Sequence, residues 1–269
     1  LYEDHGLDWY DYGARFYDPQ LGRWHVPDML AEEAPSWTPF RYGYNNPISF
    51  IDALGLLEST HIDKEGNVIA EYDDGDDGVY VHSNETTKEQ VDKQREDNEN
   101  TGGDGTHVGE IGGVINADEI YTNTLEKNTS EAKGIYNPFT FKSNVKTNGK
   151  WDLKNNKKTI YGLANDGKTK FSFNGELMES QDIGNHHFGA VGKAYGLFSE
   201  TFMLKQAGAY QIKSGTSKPE WQKYKVTKIP GNVRLGIPPS TQKVMLPPYG
   251  DDPRDQGWIK AGFQYYKNN

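Results

Sequence analysis

The chain has 269 residues, enough for one large domain or two small ones, and it is polar: 34% hydrophobic, mean hydropathy -0.86, formal net charge -10. It holds no run of about 18 apolar residues, which excludes a membrane-spanning helix, and so polar a composition disfavours a pore former. The absence of cysteine excludes disulfides and thiolate metal sites and says nothing of compartment.

The charge is unevenly spread. Residues 1–56 carry 3 basic and 9 acidic side chains, residues 57–134 carry 6 and 20, and residues 135–269 carry 20 and 10, so the three nets are -6, -14 and +10. A basic half of this size predicts an anionic partner, with nucleic acid the first candidate, and the acidic segment could screen it before release. The start, Leu1-Tyr2-Glu3-Asp4, has neither a methionine nor a basic n-region; no signal peptide is expected, and the chain reads as a piece of something longer.

Residues 8–56 contain Asp8-Trp9-Tyr10-Asp11-Tyr12-Gly13-Ala14-Arg15-Phe16-Tyr17-Asp18-Pro19, then Leu21-Gly22-Arg23-Trp24, and later Tyr42-Gly43-Tyr44-Asn45-Asn46-Pro47. Alternating aromatics broken by Gly, Pro and Asn predict short strands and tight turns. The stretch resembles the Rhs repeat-associated core, the segment that ends the β-shell of Rhs and YD-repeat proteins. The resemblance implies a shell around a C-terminal toxin, a secretion apparatus, and aspartate-type self-cleavage after a closing motif. That motif stands here as Asp52-Ala53-Leu54-Gly55-Leu56, which makes Leu56-Leu57 the scissile bond and Asp28 and Asp52 the paired carboxylates. Two carboxyls sharing one proton can supply an acid and a base together. As turn residues the same aspartates would need no catalytic role.

Residues 57–105 are expected to be an acidic linker or pre-toxin segment. Within it His61–Ala70 and Gly78–Val81 read as strands of a small hairpin, and Lys88–Gly105 as a helix fading into a flexible linker. Asp73-Asp74-Gly75-Asp76-Asp77-Gly78 lacks the EF-hand spacing and reads as a turn. The basic toxin domain is expected over 106–269, beginning with a short strand and a helix over 117–126. Asn/Asp-Gly punctuation from Gly149 through Asn165-Asp166-Gly167 to Asn174-Gly175 predicts β-hairpins.

Asp182-Ile183-Gly184-Asn185-His186-His187-Phe188-Gly189 concentrates a carboxylate, an amide and two imidazoles ahead of a periodic apolar stripe, Phe188, Val191, Tyr195, Phe198 and Phe202. The stripe predicts a long central helix to about Gln206 with Asn185 as its N-cap. An imidazole near a helix N-terminus tends to be neutral, and the free N–H groups there suit a phosphate. His186, Gly189, Lys193, Gly196 and Glu200 form a second line, the expected floor of a site; Glu200 is roughly 21 Å along one helix from His186, too far to pair with it. The plainer alternative is a capped core helix whose histidines make structural hydrogen bonds. Lys213–Lys228 interleaves lysines with Trp221 and Tyr224, which suits stacking on bases, although an exposed loop with ordinary lysines explains it too. Asp252-Pro253 starts a helix to about Tyr266.

Trp151-Asp152-Leu153-Lys154, the Asp182–Gly189 motif and Asp251-Asp252-Pro253-Arg254-Asp255 with Ile259 and Gly262 together resemble the polymorphic toxin type 44 domain. The resemblance implies a toxin C-terminus with nuclease activity, chiefly on RNA, delivered into a competitor cell by a contact-dependent secretion system and held in check by an acidic immunity protein. The fold class expected is α+β: a short-stranded Rhs-core remnant, then a mixed domain of hairpins and a long helix.

Metal-independent RNA cleavage needs a base, an acid and a cation for the phosphorane charge. His186 or His187 would be base or acid, Asp182 would orient it, Asn185 would hold phosphate or sugar, and Lys154 or Lys193 would stabilise charge. Asp152, Asp255 and Asp252 are candidates for a second carboxylate role. Gly189, Trp151, Arg254, Asp252 and Lys193 make up the expected substrate-binding set. No metal ligand set or cofactor is assigned; a divalent metal enters if several of these carboxylates meet His187. The reading requires His187 to lie within a few ångströms of Asp182, Asp152, Asp252 or Asp255. Two alternatives stay open: a peptidoglycan-cleaving toxin with Glu200 or Asp182 as general acid, and a non-catalytic nucleic-acid-binding module.

Overall fold

The computed structural model describes residues 10–11, 16–27, 58–230 and 238–269. Asp28, Asp52 and Leu56, the expected self-cleavage residues, lie outside the described residues. The architecture is α+β, with seven α-helices, a seven-stranded mixed sheet and smaller hairpins among the described residues. No described helix is long and apolar enough to cross a membrane. Two compact units divide the chain: Leu1–Asn123 with Lys157–Leu177, and Thr124–Asn156 with Met178–Asn269.

In the first unit β1 (Tyr10–Asp11), β2 (Phe16–Asp18) and β3 (Arg23–Trp24) form an antiparallel meander. Its second turn is held by Asp18, whose carboxylate accepts the N–H groups of Gln20 and Leu21 at 2.8 and 3.1 Å. The large sheet contains β4 (Glu58–Ile62), β5 (Val68–Asp73), β6 (Gly78–Val81), β7 (Thr106–Glu110), β8 (Val114–Asn116), β9 (Lys170–Phe173) and β10 (Glu176–Met178), in the order β10-β9-β8-β7-β6-β4-β5. The β4/β5 and β6/β7 pairs are antiparallel, whereas β4/β6 and β8/β9 are parallel. Asp63 shapes the β4–β5 turn by accepting the N–H groups of Glu65 and Asn67. The Asp73–Gly78 run is a turn, as read: Asp74 accepts from Ser59 and Arg95, and Asp76 from Gly78 and Tyr80.

Helix α1 (Lys88–Asn98) starts at a capping box, Thr87 with Gln90. The residues after it do not fade into a linker; they turn back at Thr101–Gly105 and pair as β7. Helix α2 (Asp118–Lys133) continues seven residues beyond its expected end, because Thr124, Leu125, Asn128, Thr129 and Ala132 keep a buried face in which polar side chains interrupt the apolar pattern. The hairpin reading of 149–178 holds only at its end. Asn174 and Gly175, both at positive φ, join β9 to β10, the backbone that a two-residue hairpin turn demands. Upstream, Leu153–Asn155 is a 3-10 turn and Ile160–Leu163 is α4. The partner of this stretch is distant in sequence: Val68 N–H binds the Lys158 carbonyl and Ile160 N–H binds the Gly66 carbonyl.

The second unit is mainly helical. Helix α3 (Pro138–Val145) is capped by Asn137. The helix expected over 185–206 is two: α5 (Ser180–Tyr195) and α6 (Glu200–Ser214). Gly196, at φ 76°, is the left-handed C-cap of α5, and Ser199 accepts the Phe202 N–H as N-cap of α6, so two ordinary stop and start signals override the apolar stripe. Strands β11 (Tyr224–Ile229) and β12 (Ser240–Met245) make an antiparallel ribbon, and α7 (Pro253–Asn268) has the expected Asp252 cap with proline at the first turn. Phe141, Trp151, Val191, Tyr195, Met203, Ile259 and Phe263 fill the core, with Phe141 stacked on Tyr195 at 4.3 Å between centroids.

Candidate functional site

Helices α5 and α7 run side by side in the same direction at backbone contact. A Cβ on Gly189 would strike the Ile259 carbonyl, and one on Gly262 would strike the His186 carbonyl. Glycine removes the obstacle at each crossing point. The close neighbour that Gly189 admits is therefore α7, and Gly189 is buried beneath it.

This crossing brings the two helix N-termini together. Asp182, 1% exposed, accepts from Arg254 Nη2 at 2.6 Å and from the Glu179 N–H at 2.9 Å. Arg254 also lies 3.4 Å from Glu179, yet its side chain is 54% exposed, so solvent reaches the guanidinium but not Asp182. Asp255 accepts from Gln181 Nε2 at 2.8 Å and Gln211 Nε2 at 2.9 Å. Burial raises its pKa; the Gln181 bond and the Lys154 charge oppose the rise, while Asp252 and Asp182 add to it. The Lys154 methylenes cover Gly184 of α5, where a Cβ would meet them at 3.4 Å. Asp251, buried and bonded to Gln256 Nε2 at 3.1 Å, is pushed up to about 6, chiefly by burial. A buried carboxyl with a raised pKa, a second raised carboxyl, and two cations at converging helix N-termini can move protons and bind an anion.

The histidines lie elsewhere on α5 and are closed off. His187 is 0% exposed, and its Nε2 accepts from Asn128 Nδ2 at 2.9 Å. An amide NH₂ only donates, so the ring proton sits on Nδ1, a buried atom with no partner. Burial, then the neighbouring His186, lowers the His187 pKa to about 3; burial alone lowers that of His186 to about 4. Both rings are neutral at pH 7, through desolvation rather than a helix end. His187 hydrogen-bonds an amide where a carboxylate was expected, because α2 supplies its neighbour. His186 packs edge-on against Tyr265 at 5.5 Å between centroids.

The remaining expected residues divide in the same way. Asn185 does not cap α5; Glu179 does, in a capping box with Asp182, which leaves Asn185 inside the helix with its Nδ2 buried and unbonded. Two acidic residues three apart start the helix earlier than the amide does. Asp152 holds its own turn, accepting from Asn148 N–H at 2.8 Å and from Asn155 Nδ2. Trp151 is 3% exposed, between Phe141 and His187, where no base can stack on it. Lys193 and Lys267 both bind Glu200, at 2.7 and 2.8 Å, and their hydrogen bonds hold its pKa down. Asp252 caps α7 by accepting the Arg254 N–H, and its own N–H donates to Gln211 Oε1. Gln181, Gln211 and Gln256 were missed: a lone glutamine carries no sequence signal, and Gln211 meets Asp255 across 44 positions. Among the described residues no three His, Asp or Glu side chains form a group that could hold a metal ion.

Residues 140–268, just under half of the chain, match a family model of bacterial toxins. The family is bacterial toxin 44 (Ntox44), and the match lies within the basic part of the chain. No curated protein and no solved structure gives a significant match.

Proposed function

We propose that the toxin domain is a nuclease acting on RNA, with its site at the paired N-termini of α5 and α7. The observation that carries this reading is the convergence there of Arg254, Lys154, Asp182 and Asp255 from three separate motifs. Arg254, aimed by Asp182 and Glu179, binds the scissile phosphate, and Lys154 adds a second positive charge. Asp255, its pKa raised, exchanges the proton between the 2′-OH and the leaving oxygen. Asp252 fixes the start of α7. His186, His187 and Asn185 support α5 from within, and Trp151, Gly189, Lys193 and Asp152 set the frame.

Substrate capture falls to the β11–β12 ribbon. From Trp221 to Gly250 the chain has no acidic residue, and Lys223, Lys225, Lys228 and Lys243 are exposed in or beside the ribbon. Lys243 covers the Tyr224 ring at 3.9 Å, an arrangement that can pass from ring to base and phosphate.

The setting proposed is a secreted Rhs-type effector. Residues 1–56 end its core and cleave after Leu56, residues 57–105 form a pre-toxin segment, and residues 106–269 form the toxin. It enters a competitor cell, and an acidic immunity protein covers the basic surface in the producer. One observation favours the wall-cleaving alternative: Asp251, at about 6, is tuned like a glycosidase acid. Glu200, held ionised by two lysines, cannot take that role.

The full chain, incubated with total RNA, plasmid DNA and peptidoglycan, each with and without EDTA, decides between them. We expect RNA degradation that falls by at least about 100-fold in Arg254→Ala and in Asp255→Asn, the loss typical of a removed charge stabiliser. Sugar release from peptidoglycan with both nucleic acids intact would overturn the nuclease.

A further inference from the structure

The first unit holds a second constellation, built from residues outside the toxin-family match. A cleft of about 840 Å³ lies among β6, β7 and the start of α2, with Lys64, His82, Asp104, His107, Asp118 and Glu119 in its wall. That volume lies within the ordinary range of small-molecule sites.

His82 is 5% exposed and stands at the end of a buried chain of hydrogen bonds. Its Nε2 lies 2.8 Å from His61 Nδ1, with the rings stacked at 5.0 Å. His61 Nε2 lies 3.5 Å from Ser59 Oγ, and Ser59 Oγ lies 2.6 Å from Asp74 Oδ2. One proton assignment satisfies every bond in the chain, with the Thr101 backbone as a further partner of the His61 ring. Burial raises the Asp74 pKa, but the Ser59 hydroxyl and the paired Arg95 charge oppose the rise, and as a carboxylate it only accepts. The Ser59 hydroxyl therefore donates to Asp74, and its oxygen takes the His61 Nε2–H. His61 Nδ1 is then bare and accepts the His82 Nε2–H. His82 Nδ1 is left as a lone pair on the cleft wall with no protein partner, on a ring that burial keeps below its ordinary pKa.

The charges around it select the ligand's sign. Three carboxylates, Asp104, Asp118 and Glu119, face one ammonium, Lys64, and the His107 ring. Asp104 accepts from Asn98 and Asp118 from the Asn174 N–H, while Glu119 makes no hydrogen bond. A phosphate would meet three like charges; a cation that donates N–H would meet three acceptors and an imidazole lone pair.

We propose that this cleft binds a small organic cation with N–H groups, amine or guanidine in chemistry, which donates to His82 Nδ1 and sets its charge against Asp104, Asp118 and Glu119. The chain behind His82 makes it a better acceptor than a solitary imidazole. Positive charge gained at Nδ1 polarises the bonds through His61 and Ser59 towards Asp74, as a carboxylate behind a ligating histidine does. The site is independent of any nuclease activity.

Calorimetric titration of the full chain with spermidine and with agmatine, and with inorganic phosphate and glucose as controls, tests it. Saturable binding of either cation is expected, and none of phosphate or glucose. His82→Gln weakens it about tenfold, the worth of one charge-assisted hydrogen bond, and Glu119→Gln, at an exposed side chain, about threefold. Affinity also falls as the pH drops through the titration of His82, since an imidazolium repels the ligand. If His82→Gln does not fold, Asp104→Asn/Glu119→Gln, expected to lose about tenfold, decides in its place. No saturable cation binding by the folded chain, equal binding by the variants, or preferential binding of phosphate would each overturn the site.

Discussion

An imidazole at 0% exposure cannot touch a polymer, so His187 contributes through the free energy of the fold. Its folded pKa, about 3, lies below the ordinary 6.5, and the unfolded chain therefore binds a proton that the folded chain refuses. For a group depressed in this direction the stabilising contribution is complete above about pH 6.5 and is lost as the pH falls towards about 3. His187→Gln keeps an acceptor for Asn128 and cannot titrate. At pH 7.5 it should be less stable than the parent by about 1–2 kcal/mol, the cost of an imperfect buried replacement. The gap should close on acidification, because only the parent pays the histidine's protonation cost. Urea midpoints at pH 7.5, 6 and 4.5 measure both effects; a gap that widens with acid would show that the ring is not buried neutral. Asp251, raised to about 6, acts with the opposite sign in both proteins and cancels in the comparison.

Between elements, the backbone contact of α5 and α7 places the candidate site. Two glycines on these helices make opposite predictions. Gly189→Ala drives a methyl into the Ile259 carbonyl and should cost about 2–3 kcal/mol, as overpacking does. Gly257→Ala, on the exposed face of α7 with nothing within 4 Å, should stabilise by about 0.5–1 kcal/mol. Thermal midpoints that move in the same direction would contradict this contact. The same contrast explains what the sequence revealed. Asn174-Gly175 and Asp252-Pro253 were legible, because each acts on backbone within three residues, whereas the Thr87 and Asn137 caps were passed over. The three motifs pack together, with α7 and the Leu153–Asn155 turn both against α5, although the hydrogen-bond partner of His187 is Asn128 and not one of the expected carboxylates. Such partners were not legible: Asn128 reaches His187 across 59 positions and Gln181 reaches Asp255 across 74. Gly189, expected on the floor of a site, instead faces another helix of the same unit.

At the scale of the whole molecule, charge would govern the encounter with the RNA proposed as substrate. The net +10 of residues 135–269 is distributed so that Trp221–Gly250 carries only positive charges. For RNA held by this ribbon, binding weakens with salt, and each lost phosphate contact removes about 0.7 from the slope of log affinity against log salt concentration. Lys225→Glu/Lys228→Glu/Lys243→Glu should lower that slope by about 2 while the fold persists, because these side chains are exposed. Fluorescence anisotropy with a labelled single strand between 50 and 200 mM salt measures it. An unchanged slope would remove the ribbon from the substrate path.

The seven-stranded sheet also bears on how this chain can be inherited. Strands β9 and β10 lie inside the stretch that matches the toxin family, yet β9 pairs with β8, and the sheet continues to strands that begin at Glu58. A recombination breakpoint at residue 140 would carry two strands away with the incoming cassette and leave Ile115, fully buried beside β9, at a raw edge. A breakpoint just before β4 would leave every ladder among the described residues whole. Gene exchange that preserves folding is therefore expected to move 58–269 as one block, with the acidic sheet and the basic helices passing together from one host gene to the next.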